Sequence, residues 1–587
     1  MTLIAPVLGT PATVPDLAGF GYASFPDMQP FTQRDASGYQ LTLEQIVKHL
    51  KALNVYFTQT NPQTTWDANV TALVAAVDAA LSAQTTANAQ AVSTALTAIA
   101  TSSITITDPA MAAVLNNASS ATLAFLDGRY VQPTQVAYLT AKVSPAPSGA
   151  DDTALLQAWL TAQAGGKLTM RSLTYQITTL TIPAHTSLWA HGATFTVSGN
   201  GNGIVLSHDN SSLHGGEVNG TGMTLNGNLI GMGVLVSNAI RVTVEGVNAH
   251  DTPNCPISVD HGTNVQIIGN TCGVARNNSN GIGVTFSNGL KIEKNVLSGN
   301  VGIEVWGGDA SNPGVTGYGC QDVQVIGNSC TGGGIFFAHV RDFTMNGNYS
   351  TGAPDVGVDA EGCLDGTIAG NVVEDANNYG VSLFYGCSGV TISGNTVRCS
   401  SAPAGLKHGI GIVTGNVSSD ITISGNTVHV VGYGLWTDND ALIDSVIVGN
   451  RIHGDTYGAI LQQCAEVTVE GNKITTLAAR GIGLEGSYNC MVTGNRVQQV
   501  GGDSSTLGAN GGIWTYSRGG SYLGGGNHIA NNKVSGFATS IKINSGLNYV
   551  ASNGVETIAY AAGTPGIQFT NNYLNSAPTT AVTATSV

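Results

Sequence analysis

The stretch "VTISGNTVRC" at 390–399 returns almost unchanged as "ITISGNTVHV" at 421–430, and no other feature constrains the fold of this chain as strongly. Related segments include "VQIIGNTC", "VQVIGNSC", "TIAGNVVE", "VIVGNRIH", "VTVEGNKI" and "MVTGNRVQ". They place an asparagine at Asn270, Asn328, Asn348, Asn371, Asn395, Asn426, Asn450, Asn472, Asn495 and Asn532, with Asn295 in "IEKNVLSG" as a degenerate copy. Most gaps are 20 to 25 residues, a period that belongs to stacked supersecondary units. Before each Asn, apolar and polar residues alternate, as in Val390 and Ile392 or Val467 and Val469, which is strand periodicity. Gly followed by Asn tolerates a left-handed backbone, so each unit is expected to corner there. Stacked Asn side chains can also bond one another along the column.

A second short strand opening on Gly lies between the Asn turns: "GIGVTF", "GIEVWG", "GVSLFY", "GIGIVT", "GLWTDN", "GAILQQ", "GIGLEG", "GIWTYS". Each coil therefore carries a Gly-led strand, a strand before the Asn and a short strand after it. Units joined always in the same order stack in parallel, with crossovers that are overwhelmingly right-handed. The fold class expected is all-β: a right-handed parallel β-helix with like residues about 4.8 Å apart, preceded by a helical head and stalk.

With 587 residues, 10% of them charged, and a formal net charge of −15, the chain is a poor partner for nucleic acid or an anionic membrane surface. No apolar run suffices to span a bilayer, so membrane insertion is not expected. No basic stretch followed by an apolar core opens the sequence, so no secretory signal is expected. The nine cysteines lack CxxC or Cys/His spacing for a metal. Cys363, Cys387 and Cys464 each stand eight residues before a repeat Asn, which fits a column of small buried thiols. Neither metal nor cofactor is expected.

Four regions follow: a head at 1–62, a helical stalk and collar at 63–145, the β-helix body at 146–552, and a C-terminal cap or tail at 553–587. Residues 41–57 place Ile46, Val47, Leu50 and Leu53 on one side of a helix. The Ala/Thr/Gln-rich segment 66–100 repeats apolar residues at three- and four-residue steps, as a slender coiled coil does. At 149–197, Asp151 or Asp152 caps a short helix that stops at Gly165-Gly166 and would plug the first coil.

The segment "DDT…LQAWL…GG", with the "Y-x-I…L-x-I" strands and "GAT" that follow it, resembles the start of pectate-lyase-like β-helices in bacteriophage tailspikes. "LAFLDGRYV" at 123–131 is similar to the collar of phage tail fibres. That resemblance implies a homotrimer in the virion at the phage tail tip, bound to tail or baseplate proteins through its N-terminal region and acting on a host cell-surface glycan.

In the Gly-led strands the second and fourth residues are apolar, so the third and fifth face outward. The third-position column contains Trp436 and Trp514; the fifth contains Trp306, Asp359, Phe384, Asp438, Gln462, Glu485 and Tyr516. Outward aromatics suit stacking on sugar rings or burial at a subunit interface. Asp438 and Glu485 lie two coils apart, about 9.6 Å by strand spacing, near the roughly 6.5–9.5 Å of an inverting glycosidase. Asp440 shares the side of Asp438, and Asp359 with Glu361 forms a second pair about 6.6 Å apart. Hydrolysis of a glycan is one expectation, and a purely adhesive fibre using the same aromatics is another. A polysaccharide lyase or epimerase is a third. "YGLWTDND" at 433–440 has an epimerase-like acidic stretch without the expected His, and only Arg518 and Lys542 supply basic groups on that face.

Overall fold

The computed structural model describes residues 142–586, apart from short internal stretches such as 225–230, 311–317, 401–406, 502–510 and 518–523. The head at 1–62, almost all of the stalk and collar at 63–145, and Arg518 lie outside the described residues. The rest forms an all-β right-handed parallel β-helix. Three sheets run its length, and one coil illustrates them: the Gly-led strand Tyr379–Phe384, the pre-Asn strand Ser388–Ser393 and the post-Asn strand Thr396–Cys399. Each pairs in parallel with its counterpart in the neighbouring coils. The inward residues Val381, Leu383, Val390, Ile392 and Val397 are buried, each contributing about 1.5–3 kcal/mol by leaving water. All nine cysteines are buried and free, inside the core.

At the corner the structure refines the expected roles of Gly and Asn. The left-handed backbone belongs to the residue before Asn: Gly394 has φ +62°, and Lys294 and Asn531 take the same conformation where Gly is missing. The Asn points inward and is buried. Asn395 Nδ2 donates to Asn426 Oδ1 at 2.9 Å and to the Ile368 carbonyl at 2.9 Å. Its Oδ1 accepts the Asn371 backbone N–H and Asn371 Nδ2, both at 2.9 Å. All four bonds that this amide can make are satisfied without water. The ladder continues through Asn553 and Asn572. Parallel pairing also continues past residue 552, through Gly554–Val555 with Tyr573–Leu574. The body therefore extends beyond the 146–552 expected from the repeat; Ala577–Ala581 turns back antiparallel on Tyr573–Leu574, and Thr585–Ser586 pairs in parallel with Ile558–Tyr560.

The leading Gly of each coil has a packing reason. A Cβ on Gly380 would stand 2.1 Å from Val397 Cγ1, and one on Gly481 2.1 Å from Val497 Cγ1. Gly and the apolar residue after it both face inward, and this local break in alternation turns the preceding residue outward.

At the N-terminal end the helix Thr153–Ala162 sets Leu156 and Leu160 on the first coil. Gln157 bonds both backbone groups of Thr181, donating to its carbonyl at 3.0 Å and accepting its N–H at 2.8 Å. An otherwise open sheet edge is thereby satisfied. Among the described residues no helix is long and apolar enough to cross a membrane.

Candidate functional site

The outer face of the Gly-led sheet carries three columns of side chains in register. The register differs from the expected alignment: Asp359 pairs with Phe336 and Ser382, and Glu361 with Ala338 and Phe384. Gly357 is the leading Gly of that coil, so Asp359 occupies the third position and Glu361 the fifth. The fifth column thus reads Trp306, Ala338, Glu361, Phe384 over successive coils. Glu361 stands between Ala338 and Phe384, with Trp306 one coil beyond the small Ala338.

Burial and like charges shape this acidic end. Burial, then the carboxylates of Asp355, Asp309 and Glu304, push the Glu361 carboxyl up to about 7. Asp359 is buried and accepts a hydrogen bond from Ser382 Oγ at 2.6 Å. Burial and the neighbouring Glu361 raise its pKa well above the usual carboxylate range. One coil away, buried His339 donates its backbone N–H to the Glu361 carbonyl at 2.9 Å, while its Nδ1 has no partner. Burial lowers its pKa, so the ring is neutral at pH 7.

The third outward column, formed by the residue before each Gly, carries Tyr379, His408, Tyr433, Tyr457 and Arg480. Strict alternation would have pointed these side chains inward, and the paired inward residues at the Gly are the reason they face out. Tyr379 lies over Gly411, where a Cβ would be 2.4 Å from its ring, and stacks on Trp436 at 6.0 Å with 2° between planes. Phe384 meets Tyr379 edge-on at 5.8 Å, and His408 stacks on Tyr433 at 4.5 Å. Burial holds the His408 imidazole down to about 4. Burial, then Asp438, Asp355 and Asp359, raise the Tyr379 phenol, so these carboxylates share one neighbourhood with it.

Farther along, Glu485 is buried, ion-paired with Arg480 and bonded by Gln462 Nε2 at 2.9 Å. Gln462 lies in the coil between Asp438 and Glu485, so the two carboxylates do not face an open water site together. Asp438 is half-buried and accepts the Asn439 N–H at 2.9 Å; Asp440 is exposed. Trp514 lies between cations, with Arg480 4.0 Å and Lys542 4.8 Å from its ring, and Tyr516 packs on it at 5.3 Å. Trp306 meets Phe286 edge-on at 5.0 Å. The face thus runs from an acidic end through an aromatic middle to a cationic end. Sequence reasoning named Asp359, Glu361, Phe384 and Trp436 but missed Tyr379, His408, Arg480, Asp309, Asp355 and His339.

A family model described as "Right handed beta helix region" matches residues 309–428, and one described as "Periplasmic copper-binding protein (NosD)" matches residues 405–586. No curated protein matches the chain. Among solved structures, the chain is similar to PfbA, a surface adhesin of Streptococcus pneumoniae, at 14% identity over 61% of this chain and 89% of that one, with a TM-score of 0.34. It is similar to the A-module of an Azotobacter vinelandii mannuronan C-5 epimerase at 14% identity over 76% and 98%, with a TM-score of 0.32. The catalytic domain of a GH87 alpha-1,3-glucanase in complex with nigerose matches at 12% identity over 66% and 69%, with a TM-score of 0.36.

Among the described residues, one group has metal-ligand spacing: His429, His453 and Asp455, with ligand atoms within 4.8 Å of one another. His453 already bonds Thr475 Oγ1 at 2.7 Å and Asp455 Oδ1 at 2.9 Å. Arg398, Arg451 and Lys473 line the same cleft. Three fixed cations oppose a copper ion there, and the nine thiols that would suit copper are enclosed in the core. The residues present do not fit copper. The matched family region and the coil geometry together make this a right-handed parallel β-helix protein.

Proposed function

We propose that this protein is a receptor-binding tail protein of a bacteriophage that grips a host cell-surface glycan along its Gly-led face and hydrolyses it at Glu361. The observation that carries the reading is Glu361 itself: a carboxyl held near 7 between the Trp306 and Phe384 positions of one outward column. A carboxylic acid that keeps its proton near neutrality can protonate a glycosidic oxygen, and aromatic rings on either side can stack on the sugars flanking the bond. The carboxylates that raise Glu361, from Asp309 and Asp355, are candidates to activate the attacking water. Glu485 is less suited to acid–base work because Arg480 and Gln462 occupy its oxygens. Trp436, held flat against Tyr379, extends the stacking surface beyond the reacting bond.

The tail-protein part of the reading rests on the "DDT…LQAWL…GG" segment and the collar sequence, with trimerisation and tail attachment assigned to residues 1–145. A purely adhesive fibre is the second reading, supported by the same aromatics. Equilibrium binding of purified host surface polysaccharide tests the grip common to both. Trp436→Ala and Phe384→Ala are expected to weaken binding about tenfold each, at about 1–3 kcal/mol per lost stacking contact. Unchanged binding in both variants would remove the Gly-led face as the glycan site.

A further inference from the structure

A separate face, the outside of the post-Asn sheet, carries a feature that the proposed hydrolysis does not use. Arg451, Lys473, Arg496 and Lys533 occupy the same position in four successive coils, each paired in register with the next. Strand spacing puts neighbours about 4.8 Å apart and the whole column at about 14 Å. Arg398, His429 and His453 form the adjacent column. Together with Thr427, Val428, Arg451, Lys473 and Thr475 they line a cleft of about 260 Å³.

Five of the 21 Lys and Arg in the whole chain stand here, on a protein whose formal net charge is −15. All four members of the column are exposed, and none is ion-paired among the described residues. Like charges directly opposite on neighbouring strands destabilise a sheet, and threonine, which fills this position at Thr396 and Thr427, would avoid that cost. An anion bridging the column would turn the repulsion into attraction.

We infer that the post-Asn sheet between Arg398 and Lys533 binds a linear polyanionic glycan, its acidic groups meeting the basic column along the helix axis. A run of four coils suits a polymer rather than a single small anion. The neighbouring side chains are Thr475, Gln498 and Ser535, which can bond sugar hydroxyls. The two columns here offer no Trp, Tyr or Phe, so single-stranded nucleic acid would find no stacking platform. The cations that make copper unfavourable in this cleft favour a carboxylate-, phosphate- or sulfate-bearing chain.

The test uses the full-length protein with polygalacturonate as the anionic probe and dextran as the neutral control, by interferometry at several salt concentrations. Expected are binding of polygalacturonate but not dextran, weakening with salt, and an affinity at least tenfold lower in Arg451→Ser/Lys473→Ser. The double variant should keep or raise its thermal midpoint, because a repulsive pair is gone. Lys291→Ser, on the pre-Asn strand Asn288–Glu293 and outside both faces, should bind polygalacturonate as wild type does, which separates the basic column from the loss of a lysine elsewhere. No binding, binding unchanged in the double variant, or equal binding of single-stranded DNA of matched charge would overturn the inference.

Discussion

At the scale of single residues, each Asn inside the ladder, such as Asn395, is a closed set of four hydrogen bonds, and Glu361 is a carboxyl pushed up to about 7. Asn395→Ala leaves the Asn371 backbone N–H and one N–H of its side-chain amide without an acceptor, the other still donating to the Met345 carbonyl. It is expected to cost about 3 kcal/mol, as buried donors left unsatisfied do, measured by urea denaturation. Asn395→Asp sets a carboxylate against the Ile368 carbonyl and Asn426 Oδ1. It should cost more at neutral pH and recover part of the loss in acid. For Glu361 the sign is the reverse of an ordinary surface acid. Its folded pKa of about 7 lies above the ordinary 4.5, so the folded state binds the extra proton between those values. Stability is full below about 4.5 and falls as pH rises through 7. Glu361→Gln removes this penalty; the full shift corresponds to about 3.4 kcal/mol, and solvent screening of this partly exposed carboxyl reduces the expected gain on the wild type at pH 8 relative to pH 4.5 to about 2 kcal/mol, read from melting curves across that range.

At the scale of the strand, the corner glycine and the leading glycine of a coil do different work. Gly425 sits at φ +64° with nothing near a Cβ, so Gly425→Ala carries only the left-handed backbone penalty, about 1 kcal/mol. Gly481→Ala would drive a Cβ to 2.1 Å from Val497 and 2.5 Å from the Gly512 carbonyl, and is expected to cost about 3 kcal/mol. Equal destabilisation of the two in denaturation experiments would contradict this division. The same glycine explains what could be read in the sequence. The Asn corners, the Val390–Ile392 alternation and the buried Cys column all follow a strict period and were legible. Tyr379, His408 and Arg480 were not, because two consecutive inward residues at the leading Gly break the period and reverse their side. Asp359 was placed one position off because "VGVDAEG" offers Gly357 either as leader or as third residue. Asp309 and Asp355 come from outside the paired strands, where no periodicity dictates the path.

At the scale of the molecule, the β-helix turns a short repeat into long faces of distinct chemistry. The acidic and aromatic Gly-led face and the basic post-Asn face lie on different sheets of one coil, so substitutions on one should leave ligand binding by the other unchanged. The homotrimer implied by the tailspike resemblance predicts a solution mass near three times 59.9 kDa by light scattering, and a monomer mass would remove that part of the reading. If Glu361 is the acid, activity falls as pH rises past about 7, and Asp309→Asn moves that limb to lower pH by removing one of the charges that raise it. Glycan cleavage at Glu361 is tested most directly by the release of new reducing ends from host surface polysaccharide by wild type and Glu361→Gln. Steady release by wild type is expected, with a rate lower by about 10²–10⁴ in the variant and binding retained; release undiminished in the variant, or none from wild type while the polysaccharide is bound, would contradict cleavage by this face.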